Sequence, residues 1–294
     1  MHEFYKPLAK RTPDYQYQNI LKHIIDEGIL AKDTPQGDGA LTCFGTTRKM
    51  VFDLRNGVPM ITERKIGYKM PIAEILAFIH GERLIDAIEK WGCPFWNDYR
   101  GRGAEFGMEP NDLGPGSYGA AFAAYPHPDG GTINQFERMV EQLRKYPNIR
   151  THRIISWVPG YASPGPGRKV IVAPCHGDLY FRILEGHLHM AMVQRSADMP
   201  IGVPHNMIQY AALHLMMCRV TGYKPGLYVH DLMDAHIYEA QKQRMRVLTA
   251  RQPKPFPILR LDPSVKDLFA FRPEHFTLEE YDPHPAIKDI PYFP

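Results

Sequence analysis

The sequence predicts an α/β chain built on a mixed, twisted sheet with helices packed on one face, and three patterns carry that reading. Apolar residues recur with helical spacing at 17–30, 71–87, 135–146 and 207–220. Short alternating or apolar runs of strand character fall between them, and glycine and proline punctuate the joins.

Ile20, Leu21, Ile24, Ile25 and Ile29 give the first helix, which stops at the loop KDTPQGDGA, residues 32–40. ALTCFG (40–45) and KMVFDL (49–54) read as a hairpin, the second run closed by the Asn56-Gly57 turn signal. Residues 71–87 read as one helix: Pro71 suits a first turn and Ile72, Ile75, Leu76 and Ile79 share a side, with Glu74 inside the apolar run. Residues 101–131, centred on DLGPGSYGAAF, are rich in glycine, proline and aromatics and read as an irregular segment lining a site. Strands are expected at 170–173, 179–184 and 187–194, with Cys175 between strands. The apolar helix 207–220 has little polar relief and is therefore buried, and the proline-rich tail after Arg251 wraps. Residues 1–16 are expected as an extended arm, and with no repeat the chain 1–294 reads as a single domain.

A content of 44% hydrophobic and 23% charged residues excludes a disordered or collagen-like chain. No apolar run reaches the length of a membrane span, and the N-terminus has no export signal, so a cytoplasmic protein with no membrane partner is expected. Four cysteines without paired spacing fit a reducing compartment, and the absence of C-x-x-C or H-E-x-x-H gives no support to a metal. A net charge of +3 is too small and too evenly spread for a nucleic-acid footprint but does not oppose binding a small anion, and a small molecule is the expected ligand.

The sharpest local feature is Ala173-Pro174-Cys175-His176, followed by Gln194-Arg195-Ser196-Ala197-Asp198 and then Gly202-Val203-Pro204-His205-Asn206; Asp234–Tyr238 (DAHIY) and Tyr281–Pro285 (YDPHP) come later. A P-C-H turn, a Q-R-S-x-D strand end and a G-x-P-x-N helix start, in this order, resemble the thymidylate synthase family, and the resemblance runs from the first helix onward. A lone cysteine is ordinarily an inert buried thiol, but a thiolate is the side chain suited to reversible addition at C6 of a pyrimidine, which makes C5 nucleophilic. The resemblance gives Cys175 that role. Arg195 would favour the thiolate and hold the nucleotide phosphate.

The remaining roles follow from the same resemblance. Asn206 would read the O4 and N3 edge of the base, favouring uracil, where the cytosine-specific hydroxymethylase branch is expected to carry aspartate. Glu74 would organise protons around the pyrimidine carbonyl with a raised pKa, and Tyr118 would assist proton removal from C5. Gln194, Ser196 and His176 would support the nucleotide, His236 and Tyr238 its sugar hydroxyl. Asp198, Trp96 and Gly202 would form the side for methylene-tetrahydrofolate, the implied co-substrate. The fold implied is the thymidylate synthase-like one, as a homodimer in which Arg153 reaches the neighbouring site.

The sequence departs from the family at three places. The loop 33–39 lacks the usual arginine, the usual arginine pair is His152-Arg153, and Trp157-Val158-Pro159 opens a longer glycine- and proline-rich loop to Gly167. Conversion of dUMP to dTMP is the reading adopted. Hydroxymethylation of a uridine or cytidine monophosphate by water, and a catalytically silent nucleotide- or RNA-binding protein, are the alternatives. An unrelated cysteine hydrolase is the poorer fit, because adjacent Cys175 and His176 point to opposite sides of an extended chain.

Overall fold

The computed structural model describes residues 4–45 and 49–293; the first three residues of the expected arm lie outside them. Its strands are β1 (Ile29–Ala31), β2 (Ala40–Phe44), β3 (Lys49–Asp53), β4 (Tyr125–Pro126), β5 (Thr132–Ile133), β6 (Arg153–Ile154), β7 (Asp178–Leu184), β8 (His187–Asp198), β9 (Lys224–Tyr238), β10 (Ile258–Leu261) and β11 (Phe276–Glu279). Its helices are α1 (Gln16–Glu27), α2 (Lys69–Ile79), α3 (Ile85–Lys90), α4 (Tyr118–Ala123), α5 (Gln135–Lys145), α6 (Pro159–Ala162), α7 (Gly202–Thr221) and α8 (Lys242–Thr249).

Among the described residues the main sheet has seven strands, ordered β1-β2-β9-β8-β7-β6 with β3 also on β9. Only the β8–β9 pairing within it is parallel, so the mixed sheet is present. The parallel pair needs a crossover, and α7 supplies it: 20 residues at about 1.5 Å rise span roughly 30 Å, enough to return the chain to the start of β9. Burial alternates along β8, with Leu188, Met190, Met192 and Gln194 covered and the residues between them part-exposed. The covered face meets α7 and α1, and α2 packs on α7; Leu213, Leu215, Ile75 and Leu21 there are fully buried. Each such side chain contributes about 1.5–3 kcal/mol on leaving water.

Three local expectations are corrected. The runs 40–45 and 49–54 form strands but not a hairpin: β2 pairs with Asp234–Tyr238 and β3 with Leu227–Asp231, end to end along one edge of β9. A strand of 15 residues can host both, which satisfies their backbone groups without mutual pairing. The helix expected over 71–87 is two helices, interrupted at Gly81, which adopts φ +84°. Residues 170–173 are not a strand, so Cys175 lies in a loop leading into β7 rather than between two strands. β9 itself, with α8, had no counterpart in the sequence reading. Pro225, Gly226, His230, Asp231 and Asp234 break the apolar alternation that would have announced the strand.

The arm and the tail pack against each other. Tyr5 donates its hydroxyl to the Leu259 carbonyl at 2.9 Å, and buried Arg11 holds the Phe256 carbonyl at 2.7 Å and the Glu280 carboxylate. Asn56-Gly57 does mark a turn: a 3₁₀ turn at Leu54–Asn56 ends at Gly57 with φ +106°. A Cβ there would lie 2.7 Å from the Pro257 carbonyl oxygen and 2.8 Å from that of Phe256. Gly57→Ala is therefore expected to cost roughly 2–4 kcal/mol of stability, read as a lower urea midpoint with unchanged slope.

Candidate active site

The C-terminal ends of β8 and β9, the first turns of α7, the middle of α2 and the start of α4 converge on a cavity of about 530 Å³. Twelve residues singled out in the sequence line it: Glu74, Trp96, Tyr118, Cys175, His176, Gln194, Ser196, Asp198, Gly202, Asn206, His236 and Tyr238. The two remaining ones, Arg153 and Arg195, line a second cavity of about 340 Å³ that shares Cys175 and His176 with the first. The thiol thus sits where a largely apolar cleft meets a cationic one.

Several bonds hold the Cys175 loop against β8. The Cys175 carbonyl accepts from the Arg195 N–H at 2.6 Å, and its own N–H donates to the Tyr118 hydroxyl at 2.7 Å. Arg195 closes over the loop, donating to the carbonyls of Pro174 and Ala173 at 3.2 and 3.1 Å, with a guanidinium nitrogen 3.5 Å from Sγ. Its other face lies over the Trp157 ring at 5.4 Å. Gly177, at φ +100°, completes the turn because a Cβ would strike Phe122 and the Tyr210 hydroxyl, each 2.9 Å away.

Burial pushes the Cys175 thiol pKa up. Arg195 pulls it down, as do hydrogen bonds from Ser196 and Tyr118, but not far enough to reverse the effect. The expected thiolate-favouring arginine is present, and desolvation outweighs it in the free protein. His176 bonds the Tyr210 hydroxyl through Nδ1 at 2.7 Å and stacks on Tyr118 at 4.5 Å between centroids. Burial and then Arg195 lower its pKa to about 3, so it is neutral.

Glu74 is 6% exposed, so the buried alternative, not the exposed helix face, is realised. Its two oxygens accept from Trp96 Nε1 and Gln209 Nε2, each at 2.8 Å, and burial raises its pKa to about 7 against those two bonds. Gln209 Oε1 in turn accepts from Asn206 Nδ2 at 3.0 Å, and Asn206 Oδ1 accepts from Gln194 Nε2 at 3.1 Å. Asn206 lies inside α7 and does not cap it.

Asp198 occupies the far side of the cavity, where burial raises its pKa to about 6 against the pull of His236. Gln241 Nε2 donates both to Asp198 Oδ1 at 3.4 Å and to the Pro291 carbonyl at 2.9 Å, bringing the C-terminal Tyr292 and Phe293 to the cavity wall. Phe293 packs on the Tyr238 ring at 4.4 Å. From the loop lacking an arginine, Gln36 lines the same wall. His152, the other departure, is buried, while the neighbouring Arg153 is exposed over the Tyr180 ring at 5.0 Å.

Sequence reasoning passed over Gln209, Tyr210, His230 and Gln241. A signal existed for the first two: Gln209 and Tyr210 stand three and four residues after Asn206, on its side of an otherwise apolar helix. Among the described residues no group of three or more His, Cys, Asp or Glu is placed to hold a metal ion. No described helix is long and apolar enough to cross a membrane.

A family model described as thymidylate synthase matches residues 15–291 of the 294.

The raised pKa of Glu74 has a stability consequence. The unfolded carboxyl ionises near pH 4.3, so between there and about 7 the folded state binds the extra proton and stability falls as pH rises, by about 3 kcal/mol in all. Glu74→Gln removes that loss but can serve only one of the two donors. It is expected to be inactive yet on the order of 1–2 kcal/mol more stable than wild type at pH 8, with no gain at pH 4, in urea titrations at both pH values.

Proposed function

Because the chain belongs to the thymidylate synthase family, we propose that it transfers one carbon from methylene-tetrahydrofolate to C5 of dUMP, yielding dTMP, as a single catalytic domain over 1–294. Membership gives the coarser statement outright: a methyltransferase-type enzyme acting at pyrimidine C5 with a folate co-substrate. The observation that carries the finer reading is the Asn206 amide inside the cavity that holds the Cys175 thiol. It has one N–H for uracil O4 and one lone pair for N3–H beyond its protein partners.

In this reading Arg195 and Arg153 take the phosphate, His236 and Tyr238 the sugar hydroxyl, and Gln194, Ser196 and His176 support the ring. Cys175 Sγ adds to C6, and the electron pair moves through C5 towards O4, where Asn206 and the Glu74 proton meet the charge. Glu74 suits that task because it lines the cavity, its oxygens accept from Trp96 and Gln209, and burial raises its pKa to about 7. Tyr118 assists loss of the C5 proton after the new carbon–carbon bond forms. The folate nitrogen then leaves the new carbon, a hydride from the folate arrives there, and expulsion of Sγ from C6 restores the C5–C6 double bond and frees the product.

Methylene-tetrahydrofolate supplies the carbon and, on the methyl route, the hydride. The cavity fits it: Trp96, Phe95, Tyr99 and Tyr292 offer aromatic faces for flat rings, Gly202 leaves room, and Asp198 offers a carboxylate to pterin N–H donors. A silent binding protein would have no use for a buried Glu74 carboxyl beside a thiol.

The open face of the sheet exposes Val51, Tyr180, Leu184 and Leu227, each 38–49% accessible, and a second copy of the chain is the proposed cover. Arg153 lies on that face, from which it reaches the neighbouring site. Its lining of the cavity around Arg195 in the same chain favours a second reading, service to its own subunit. Mixing Cys175→Ala with Arg153→Ala subunits decides between them. Activity returns in the mixture if Arg153 acts across the dimer, and stays at background if it acts within one chain.

The product test uses methylene-tetrahydrofolate with each pyrimidine monophosphate and mass analysis of the nucleotide. A gain of a methyl group on dUMP with appearance of dihydrofolate is expected. A hydroxymethyl product without dihydrofolate would replace the methyl assignment, and Cys175→Ala is expected to form no product of either kind.

A further inference from the structure

Asn206 reads a base only if its amide is held one way round. The two ends of an amide are nearly the same size, so its neighbours decide which edge donates. Asn206 is 6% exposed and has two glutamine neighbours, one on each side.

On one side, Gln194 Nε2 donates to Asn206 Oδ1 at 3.1 Å and to the Ser196 carbonyl at 3.1 Å. A main-chain carbonyl only accepts, so the Gln194 amide cannot turn over without placing two acceptors together. Its Oε1 is also held, by His230 Nε2 at 2.8 Å. On the other side, Gln209 is fully buried and donates to the Glu74 carboxyl at 2.8 Å, leaving its Oε1 for Asn206 Nδ2 at 3.0 Å. Trp96, a donor only, occupies the second Glu74 oxygen at 2.8 Å, so the carboxyl faces both neighbours as an acceptor.

We propose that Gln209 is a specificity-determining residue: with the Ser196 carbonyl at the opposite end, it fixes the polarity of the Asn206 amide and thereby selects uracil over cytosine. The inference rests on the proposed nucleotide chemistry of this site. Gln209 touches neither base nor folate; it acts through Asn206. The same bond ties the base-reading amide to Glu74, so a single substitution reaches both. Without Gln209 the Asn206 amide has one anchor in place of two, and cytosine, which needs the reversed edge, gains access.

Gln209→Met keeps the volume and removes the relay. Competition between deoxyuridine and deoxycytidine monophosphates, by turnover with methylene-tetrahydrofolate and by calorimetric binding without it, should show the uracil preference of wild type falling roughly tenfold. KM for folate should stay unchanged. A packing role alone would not also move the alkaline limb of kcat. That limb belongs to Glu74, whose proton the reaction uses, and loss of a donor to the carboxylate carries it to higher pH. The other groups around Glu74 are Trp96, Cys93, Tyr118, Tyr210 and Tyr292, and the four titratable ones all have pKa values raised above their ordinary ones by burial, so none charges in that range.

Should Gln209→Met fail to fold, Gln194→Met tests the other anchor by the same ratio. A base ratio within twofold of wild type in the folded variant would overturn the proposal, as would a wild type that binds both nucleotides equally. A wild type that binds deoxyuridine monophosphate preferentially, loses that preference in Gln209→Met and yet transfers no carbon would support the relay and sink the proposed reaction instead.

Discussion

A carboxyl group removed from water must be neutral or fully hydrogen-bonded, and Glu74 sets that condition at the centre of this molecule. It stands on an apolar helix, α2, packed against the long buried helix α7. Trp96 and Gln209 meet its two oxygens, and Gln209, Asn206 and Gln194 carry the chain of bonds on to His230 on β9. One buried acid thereby fixes the facing of two helices and two strands, and it leaves a carboxyl near pH 7 poised beside the cavity. The same burial that makes the acid useful makes it expensive to keep, a pattern common to reactive sites.

The thiol answers to a different balance. Burial raises the pKa of Cys175, and Arg195, Ser196 and Tyr118 each oppose it. The loop that carries the thiol is held mainly by its backbone: Arg195 and Tyr118 bond the Cys175 peptide group on both sides, and Ser156 Oγ donates to the His176 carbonyl at 2.7 Å. Position is therefore set independently of charge, and the guanidinium that stabilises a thiolate also faces the cationic cleft beside it.

The helices α1, α5 and α7 were legible because an apolar stripe or an all-apolar run survives in the one-dimensional pattern. β9 was not, because a central strand that also carries site residues spends its positions on His230, Asp234 and His236 rather than on β-formers. The division of 71–87 into α2 and α3 was hidden for a related reason: Gly81 is a weak signal against strong flanking periodicity. The cavity was legible in its local motifs, since Cys175, Gln194–Asp198 and Gly202–Asn206 are short stretches whose neighbours in sequence are neighbours in space. Gln209, Tyr210, His230 and Gln241 contact those motifs from the second layer, and such contacts depend on packing that no spacing rule encodes. Arg153 and Arg195 were expected at the nucleotide; their separate, adjoining cleft was not.

The central claim is that Cys175 forms a covalent bond to the pyrimidine while the folate carbon joins C5. A nucleotide with fluorine in place of hydrogen at C5 cannot lose that atom as a proton, so the reaction must stop with nucleotide and methylene-folate both attached to the enzyme. Incubating the protein with 5-fluoro-dUMP and methylene-tetrahydrofolate, then digesting and weighing its peptides, tests this directly. The account predicts that the peptide containing Cys175 gains the combined mass of both molecules, and that those containing Cys43, Cys93 and Cys218 gain none. An unmodified Cys175 peptide, or the same mass on another cysteine, would contradict it.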